Sequence, residues 1–528
     1  MQETQMFLDD ANKSVVLGLP PAALSSEAAK LQNPFYNAVE YERNGNRQLA
    51  ENIYLELLNQ DFENPVVMAA LGMNYAVIER NGLAHLLLSK ALANLDGFLD
   101  AFKRLGITPK SNSVAQINEF IAIKRSEIQN AIGTCFKHEN KIDKARYWFE
   151  LAQSQIPLNP DIQNNLGTLF INEGKPQDSL PYLDAAINAD PNHGQAHWNR
   201  SLAYLEMGDY ARGWPEYDWG VTAKVRVDRQ YTVQTAPVLP YWKGEPDANL
   251  VVYGEQGIGD EIMFASMLPD LLKLCPNVVF ECHKKLHKLF ANSFPGLHIY
   301  PTREDEKVTW PILANGTPRY PFTHRIALGS LGQFFRQSLE DFPGTPYLEP
   351  TPACELKWNE RLAEMPVGPK IGISWIGGHK KTRIEVRSID LEHLLPIFKA
   401  ALARNPNTQF ISLQYTPQED EVEAFEKKHG IKIHQFPEAA YSAIYDDKAG
   451  LVANLDLVIT VCTSVVHLAG ALGVPTWVMV PSRPAWRYRL DLDVMPWYAN
   501  TTLFRQPDTQ NWKPVIEEVA FRLSDLLT

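Results

Sequence analysis

Cysteine is scarce in this chain of 528 residues. The five present, Cys135, Cys275, Cys282, Cys354 and Cys462, are scattered, with no C-x-x-C pair among them. That excludes a disulfide framework and a structural zinc site. Long apolar runs are also missing, and none approaches the ~18 residues that a membrane-spanning helix needs. Basic residues are outnumbered, 50 against 62 acidic ones, for a formal net charge of −12. This balance argues against broad binding to nucleic acid or anionic membranes, while leaving room for a local basic pocket. The opening segment MQETQMFLDDANKS lacks the basic-then-apolar order of a secretory signal, so a cytoplasmic location is expected. Neither a G-x-S-x-G elbow nor a Walker loop is present. Apolar residues at 45% and charged residues at 21% are ordinary for a globular protein. The length predicts three or four domains.

An internal repeat organises the first part of the chain. Gly133, Gly167 and Ser201 recur at a step of 34, as do Phe136, Phe170 and Tyr204, then Asn140, Gly174 and Gly208, then Pro157 and Pro191. This period and pattern resemble the tetratricopeptide repeat. The small residue lets two helices approach, Gly or Asn supplies a left-handed turn, and Pro stops the second helix. A looser copy holds Gly45, Ala50, Tyr54, Pro65, Leu71, Gly72 and Tyr75. Gly72 and Gly133 are 61 residues apart, one repeat plus an insertion of 27. Helical hairpins are expected from about residue 33 to 220, stacked as an α-solenoid.

The texture changes after Trp219. Residues 221–247 lack helical periodicity and read as an extended linker. From Leu250 onward, buried-strand runs alternate with helices: LVVY, VVFEC at 278–282, KIGISW at 370–375, QFISLQ at 409–414, LDLVITV at 455–461 and PTWVMVP at 475–481. EIMFASMLPDLLKL reads as an amphipathic helix, and VIEEVAFRLSDLL as a terminal one. The two blocks predict two doubly wound parallel-sheet domains facing a cleft. The expected divisions are 1–125, a helical region with degenerate repeats; 126–220, tetratricopeptide repeats; 221–247, linker; 248–366, a first Rossmann-like domain; and 367–528, a second.

Three loops fall at strand ends, where such sheets bind ligands. The first, Gly254-Glu255-Gln256-Gly257-Ile258-Gly259-Asp260, lets backbone approach a ligand at Gly257 and Gly259, with Asp260 at the helix start. Asp260 reads equally as an N-cap. A dinucleotide fingerprint is disfavoured: Glu281 follows at about the right distance, but Ile262 occupies the place of the third glycine, and the acidic Asp260 would repel a pyrophosphate. The second loop runs from Ser374 through Lys380, Lys381 and Arg383 to Arg387. Its cations suit phosphates, though a charge run is also the mark of a solvated loop. In the third, Thr463 and Ser464 open a helix directly after a buried strand, which favours an anion. His467 lies one turn on and reads either as a ligand to that anion or as a satisfied core residue. Gln414 at a strand end could touch a nucleotide. Asp491-Leu492-Asp493 is a chance D-x-D match away from any strand end and is not taken as a metal site.

Together the ordered segments GDYARGWPEYDW, LPYWKGE, VVYGEQGIGDEIMF, GISWIGG, TSVVHLAGALGVPTWVMVP, PWY and LFRQ resemble bacterial tetratricopeptide-repeat glycosyltransferases with a heptosyltransferase-like half. The resemblance covers roughly residues 126–510. It implies a GT-B fold of two Rossmann-like domains and an inverting, metal-independent transfer from a nucleotide-sugar, which is a substrate rather than a cofactor. By the same resemblance Asp260 matches the base-like Asp of the family, and Thr463, Ser464 and His467 form the donor phosphate loop. The repeats would engage a polypeptide acceptor such as flagellin. Where the heptosyltransferases carry Asp before the Thr, this chain has Cys462, which points to a donor other than ADP-heptose. A glycolipid transferase and a non-catalytic repeat adaptor are the competing readings.

Overall fold

The computed structural model describes residues 33–105, 114–229, 239–303, 322–378, 384–507 and 511–526. It divides between Arg200 and Ser201 into two compact units.

The first unit is built of antiparallel helix pairs: Pro34–Arg43 with Arg47–Gln60, Pro65–Val77 with Asn81–Ala93, Val114–His138 with Ile142–Gln155, and Pro160–Asn172 with Pro176–Ala189. Asn33, Asn64 and Asn159 cap three of these helices by accepting backbone N–H bonds, each followed by a proline that needs no such bond. The turns within hairpins pass through left-handed backbone at Gly45, Asn140 and Gly174. Close approach explains the small residues. A methyl group on Gly133 would lie 2.6 Å from the Phe149 ring, and one on Gly167 would lie 2.9 Å from Leu183. Second helices end at Gln155 and Ala189, two residues before Pro157 and Pro191. The insertion before Gly133 includes the short helix Phe98–Arg104 and lengthens Val114–His138 to 25 residues. Amide pairs tie successive repeats, Asn165 donating to Asn130 at 2.9 Å and Asn199 to Asn164 at 2.8 Å.

The second unit opens with a hairpin that the sequence pattern assigns to the repeats. Gly208 makes its left-handed turn, and the Ser201 hydroxyl donates to the Gly213 carbonyl at 2.9 Å. The aromatic residues of Tyr210–Tyr217 belong to the α/β core, however. Trp214 is 1% exposed, donates its indole N–H to the Arg336 carbonyl and packs edge-on against Tyr217, Phe264 and Trp486. Burial of these rings ties Tyr210–Tyr217 to the second unit, which begins at Ser201. The region read as a linker is also partly built in, since Arg226 is buried and bonds Glu255. Residues 230–238 lie outside the described residues.

Two parallel sheets follow. The first has β1 (Leu250–Tyr253), β2 (Val278–Glu281), β3 (His298–Tyr300) and β4 (His324–Ala327) in the order β3-β2-β1-β4. Leu250 lies opposite both Val278 and His324. The second has β5 (Lys370–Ser374), β6 (Gln409–Ser412), β7 (Ile433–His434), β8 (Leu457–Val461), β9 (Thr476–Val480) and β10 (Thr501–Arg505), ordered β10-β9-β8-β5-β6-β7. Central strands such as β8 are buried throughout, as a sheet covered on both faces requires. The helix expected over 261–274 is two helices, Ile258–Ala265 and Leu268–Leu274. Pro269 in the first turn of the second cannot continue the earlier hydrogen-bond ladder. The expected fold class, a helical repeat region followed by two Rossmann-like domains, is the one observed.

Candidate functional site

Strand order reverses between β1 and β4 in the first sheet and between β5 and β8 in the second. Open parallel sheets bind ligands at such points, beyond the carboxyl ends of the strands. The loops leaving β1, β5 and β8 all border one cleft of about 720 Å³, lined from the first domain by Ile258, Gly259, Asp260 and Lys285, and from the second by Arg387, Cys462, Thr463, Ser464, His467 and Arg487 among others.

Asp260 stands in the first turn of Ile258–Ala265. One carboxylate oxygen accepts the Gly257 N–H at 3.1 Å, and the other accepts a bond from the Arg487 guanidinium across the cleft. Asp260 is therefore a cap and a cleft carboxylate at once. Opposite it, Thr463 caps Ser464–Leu472, its hydroxyl accepting the Val465 N–H. The Ser464 hydroxyl meets that of Tyr445 at 3.1 Å. Arg387 reaches the Cys462 carbonyl at 3.3 Å. The Nε atoms of Arg387 and Arg487 are buried with no hydrogen-bond partner among the described residues. Two guanidinium groups with unspent donors beside a helix start form an anion cradle.

His467 also lines the cleft, but as a neutral ring. Burial, reinforced by the Arg487 charge, holds its pKa well below the usual 6.5, and Nδ1 lies 3.2 Å from the Tyr498 hydroxyl. Burial pushes the Cys462 thiol up to about 11, so it presents no negative charge where the heptosyltransferase resemblance expects a carboxylate. Gly259 has a packing reason to be glycine: a methyl there would lie 2.9 Å from the His467 ring and 3.3 Å from Ser464 Cα. Gly257 precedes that helix as its N-cap.

Ser374 and Gln414 come together without lining the cleft. The Ser374 hydroxyl donates to Gln414 Oε1 at 2.7 Å, and that oxygen also accepts the Trp375 N–H. Both side chains are buried and shape the turn after β5. Lys380, Lys381 and Arg383 lie outside the described residues. Glu255 of the loop after β1 is buried against Arg226. Asp491 of the D-x-D match pairs with Arg489 at 2.8 Å, and Trp486 and Trp497 pack with Phe264.

Sequence reasoning missed Arg487, Tyr488, Lys285, Tyr445 and Lys448, all of which line the cleft. Arg487 follows β9, where WRYRL shows two arginines in a strand-end loop. That was the available signal.

A chain with tetratricopeptide-type hairpins and two parallel-sheet domains around one cleft defines the class to which the comparisons speak. A tetratricopeptide-repeat family model matches residues 160–193, which span the hairpin Pro160–Asn172 and Pro176–Ala189. Protein FlbA of Caulobacter vibrioides is 27% identical over 397 residues, covering 67% of this chain and 65% of that protein. The chain thus spans just under two thirds of that relative's length. The solved glycosyl transferase family 9 structure from Veillonella parvula is 12% identical and covers 53% of this chain and 97% of its own, with a TM-score of 0.36. The ADP-heptose LPS heptosyltransferase II of E. coli is also 12% identical, covering 53% and 98%, with a TM-score of 0.34.

Proposed function

We propose that this chain is a glycosyltransferase moving a sugar from a nucleotide-activated donor to a hydroxyl of a polypeptide, with inversion and without a metal. The observation that carries the reading is the pairing of Asp260 with Arg487 at the mouth of the anion cradle. Among the described residues lining the cleft, Asp260 is the only carboxylate. Inversion needs one base to take the acceptor's proton as its oxygen attacks the anomeric carbon, and Asp260 fills that role. The departing nucleotide phosphate gains negative charge, which Arg387, Arg487 and the helix start at Thr463–Ser464 stabilise. Lys380, Lys381 and Arg383 would add to that set from the loop after β5. An arriving donor phosphate competes with Asp260 for Arg487, so donor binding frees the carboxylate to act. The neutral Cys462 argues for a donor other than ADP-heptose. The repeats would hold the polypeptide, a Ser/Thr acceptor of the flagellin type.

The test is incubation of the full chain with ADP-, UDP-, GDP- and CMP-activated sugars and candidate acceptor proteins, followed by mass spectrometry of the acceptor and NMR of the new anomeric centre. The expected result is a protein-linked sugar of inverted configuration, formed equally well with a chelator present. Failure to consume any donor, with or without acceptor, would overturn the reading.

A further inference from the structure

A second cationic site lies in the same cleft, apart from the residues given roles above. Lys448, on the helix Tyr445–Ala453, is only 3% exposed, yet it lines the cavity. Lys285, in the loop after β2, faces the same space from the first domain. Neither ammonium group has a carboxylate partner among the described residues. The acids nearby are already engaged. Asp446 accepts from Lys288 at 2.8 Å and from the Thr351 hydroxyl and N–H, and Asp447 accepts from Lys357 at 2.7 Å. The Lys448 ammonium lies over the Tyr445 ring, 5.6 Å from its centroid, a contact that offsets only part of the cost of burying a charge. Burial, and then the neighbouring charge of Lys285, lower Lys448 to about 8, so the two lysines feel one another with no anion between them.

Tyr445 joins this pair to the phosphate cradle. Its N–H donates to the Lys285 carbonyl at 2.9 Å, and its hydroxyl meets Ser464 at 3.1 Å. The two cationic groups are therefore neighbouring subsites of one cavity. From this geometry we infer that Lys285 and Lys448 form a second anion subsite, which binds an additional oxyanion on the ligand whose phosphate sits at Arg387 and Ser464. That oxyanion is either the second phosphate of a nucleoside diphosphate or a carboxylate on the transferred sugar. The inference rests on the nucleotide-sugar reading of the cleft.

The experiment measures binding to the full chain by calorimetry for ADP, UDP, GDP, AMP, UMP, CMP, inorganic pyrophosphate, glucuronic acid and N-acetylneuraminic acid. Wild type is compared with Lys448→Met, Lys285→Met and Arg387→Ala, with melting temperature followed in parallel. Each lysine variant should weaken one anion class by about ten-fold or more, the loss expected for a charge-assisted contact. Selective loss of diphosphates and pyrophosphate identifies a phosphate subsite, and selective loss of the sugar acids identifies a carboxylate subsite. Lys448→Met should melt no lower than wild type, since an apolar side chain of similar length replaces a buried charge that has only the Tyr445 ring beside it. If it fails to fold, the half-buried Lys285→Met carries the test. Nucleotide binding that is lost in Arg387→Ala, with nucleotides, pyrophosphate and sugar acids all unchanged within two-fold in both lysine variants, overturns the subsite while keeping the donor reading. Lysine-dependent binding of pyrophosphate or a sugar acid by a chain that binds none of the nucleotides overturns the donor reading and keeps the subsite. No binding of any anion overturns both.

Discussion

The two sheets handle charge at their carboxyl ends in opposite ways. In the first domain almost every charged group near the strand ends is used internally. Glu255 holds Arg226, Glu261 holds Arg303 at 2.6 Å, and Glu281 holds Arg229 at 2.6 Å, with all three carboxylates buried. In the second, Arg387 and Lys448 have no carboxylate partner among the described residues, and Arg487 bonds only across the cleft to Asp260. Cations paired to buried carboxylates fix a loop, whereas cations without one are open to an anionic ligand. Asp260 belongs to the first domain but bonds across to Arg487 of the second, and it is where the two regimes meet.

Breaking a saturated pair should give the largest stability effect. Arg226→Ala strands the Glu255 carboxylate in the core, at a cost of about 3–5 kcal/mol, visible as a large fall in the urea midpoint. An equal loss from Arg387→Ala would erase the contrast between the domains. Arg387→Ala should instead leave the melting point nearly unchanged and weaken nucleotide binding by about 1.5–3 kcal/mol, read by calorimetry. Gly259→Ala pushes a methyl into the His467 ring and should destabilise by about 1–3 kcal/mol through overpacking. Wild-type stability for that variant in thermal melts would mean that the helices Ile258–Ala265 and Ser464–Leu472 separate without cost.

The smallest effect is a pH dependence. Lys448 is lowered to about 8 from its usual 10.5. Between those values the unfolded chain binds more protons than the folded one, so this group's contribution to stability should rise with pH across that window. Anion binding that needs its charge should fade as pH climbs through about 8. Lys448→Met should flatten both trends, as pH-dependent melts and titrations would reveal.

Much of this was legible in the sequence. The repeat step located the left-handed turns at Asn140, Gly174 and Gly208 and the close approaches at Gly133 and Gly167, because each depends on a local backbone or steric need. The loops after β1 and β8 were legible because buried strand runs end abruptly in glycine or hydroxyl residues. Arg487 and Lys448 were not, since their importance comes from what tertiary packing fails to place beside them. In the sequence, Lys448 follows two aspartates that look like its partners, yet the fold gives those acids to Lys288 and Lys357. Ser374 and Gln414, polar residues at strand ends, bond each other below the surface through Gln414 Oε1, a pairing that no local pattern in the sequence shows.

On the proposed mechanism Asp260 acts as a base and is more than a cap. Asn caps a helix as well as Asp does, but an amide cannot accept the acceptor's proton. Single-turnover transfer by Asp260→Asn with the donor site saturated, alongside nucleotide affinity and melting temperature, tests this most directly. Turnover should fall by about 10² or more, with nucleotide binding unchanged or tighter because Arg487 has lost its competing carboxylate. Turnover within a few-fold of wild type, or a loss matched by an equal loss of nucleotide affinity, would contradict it.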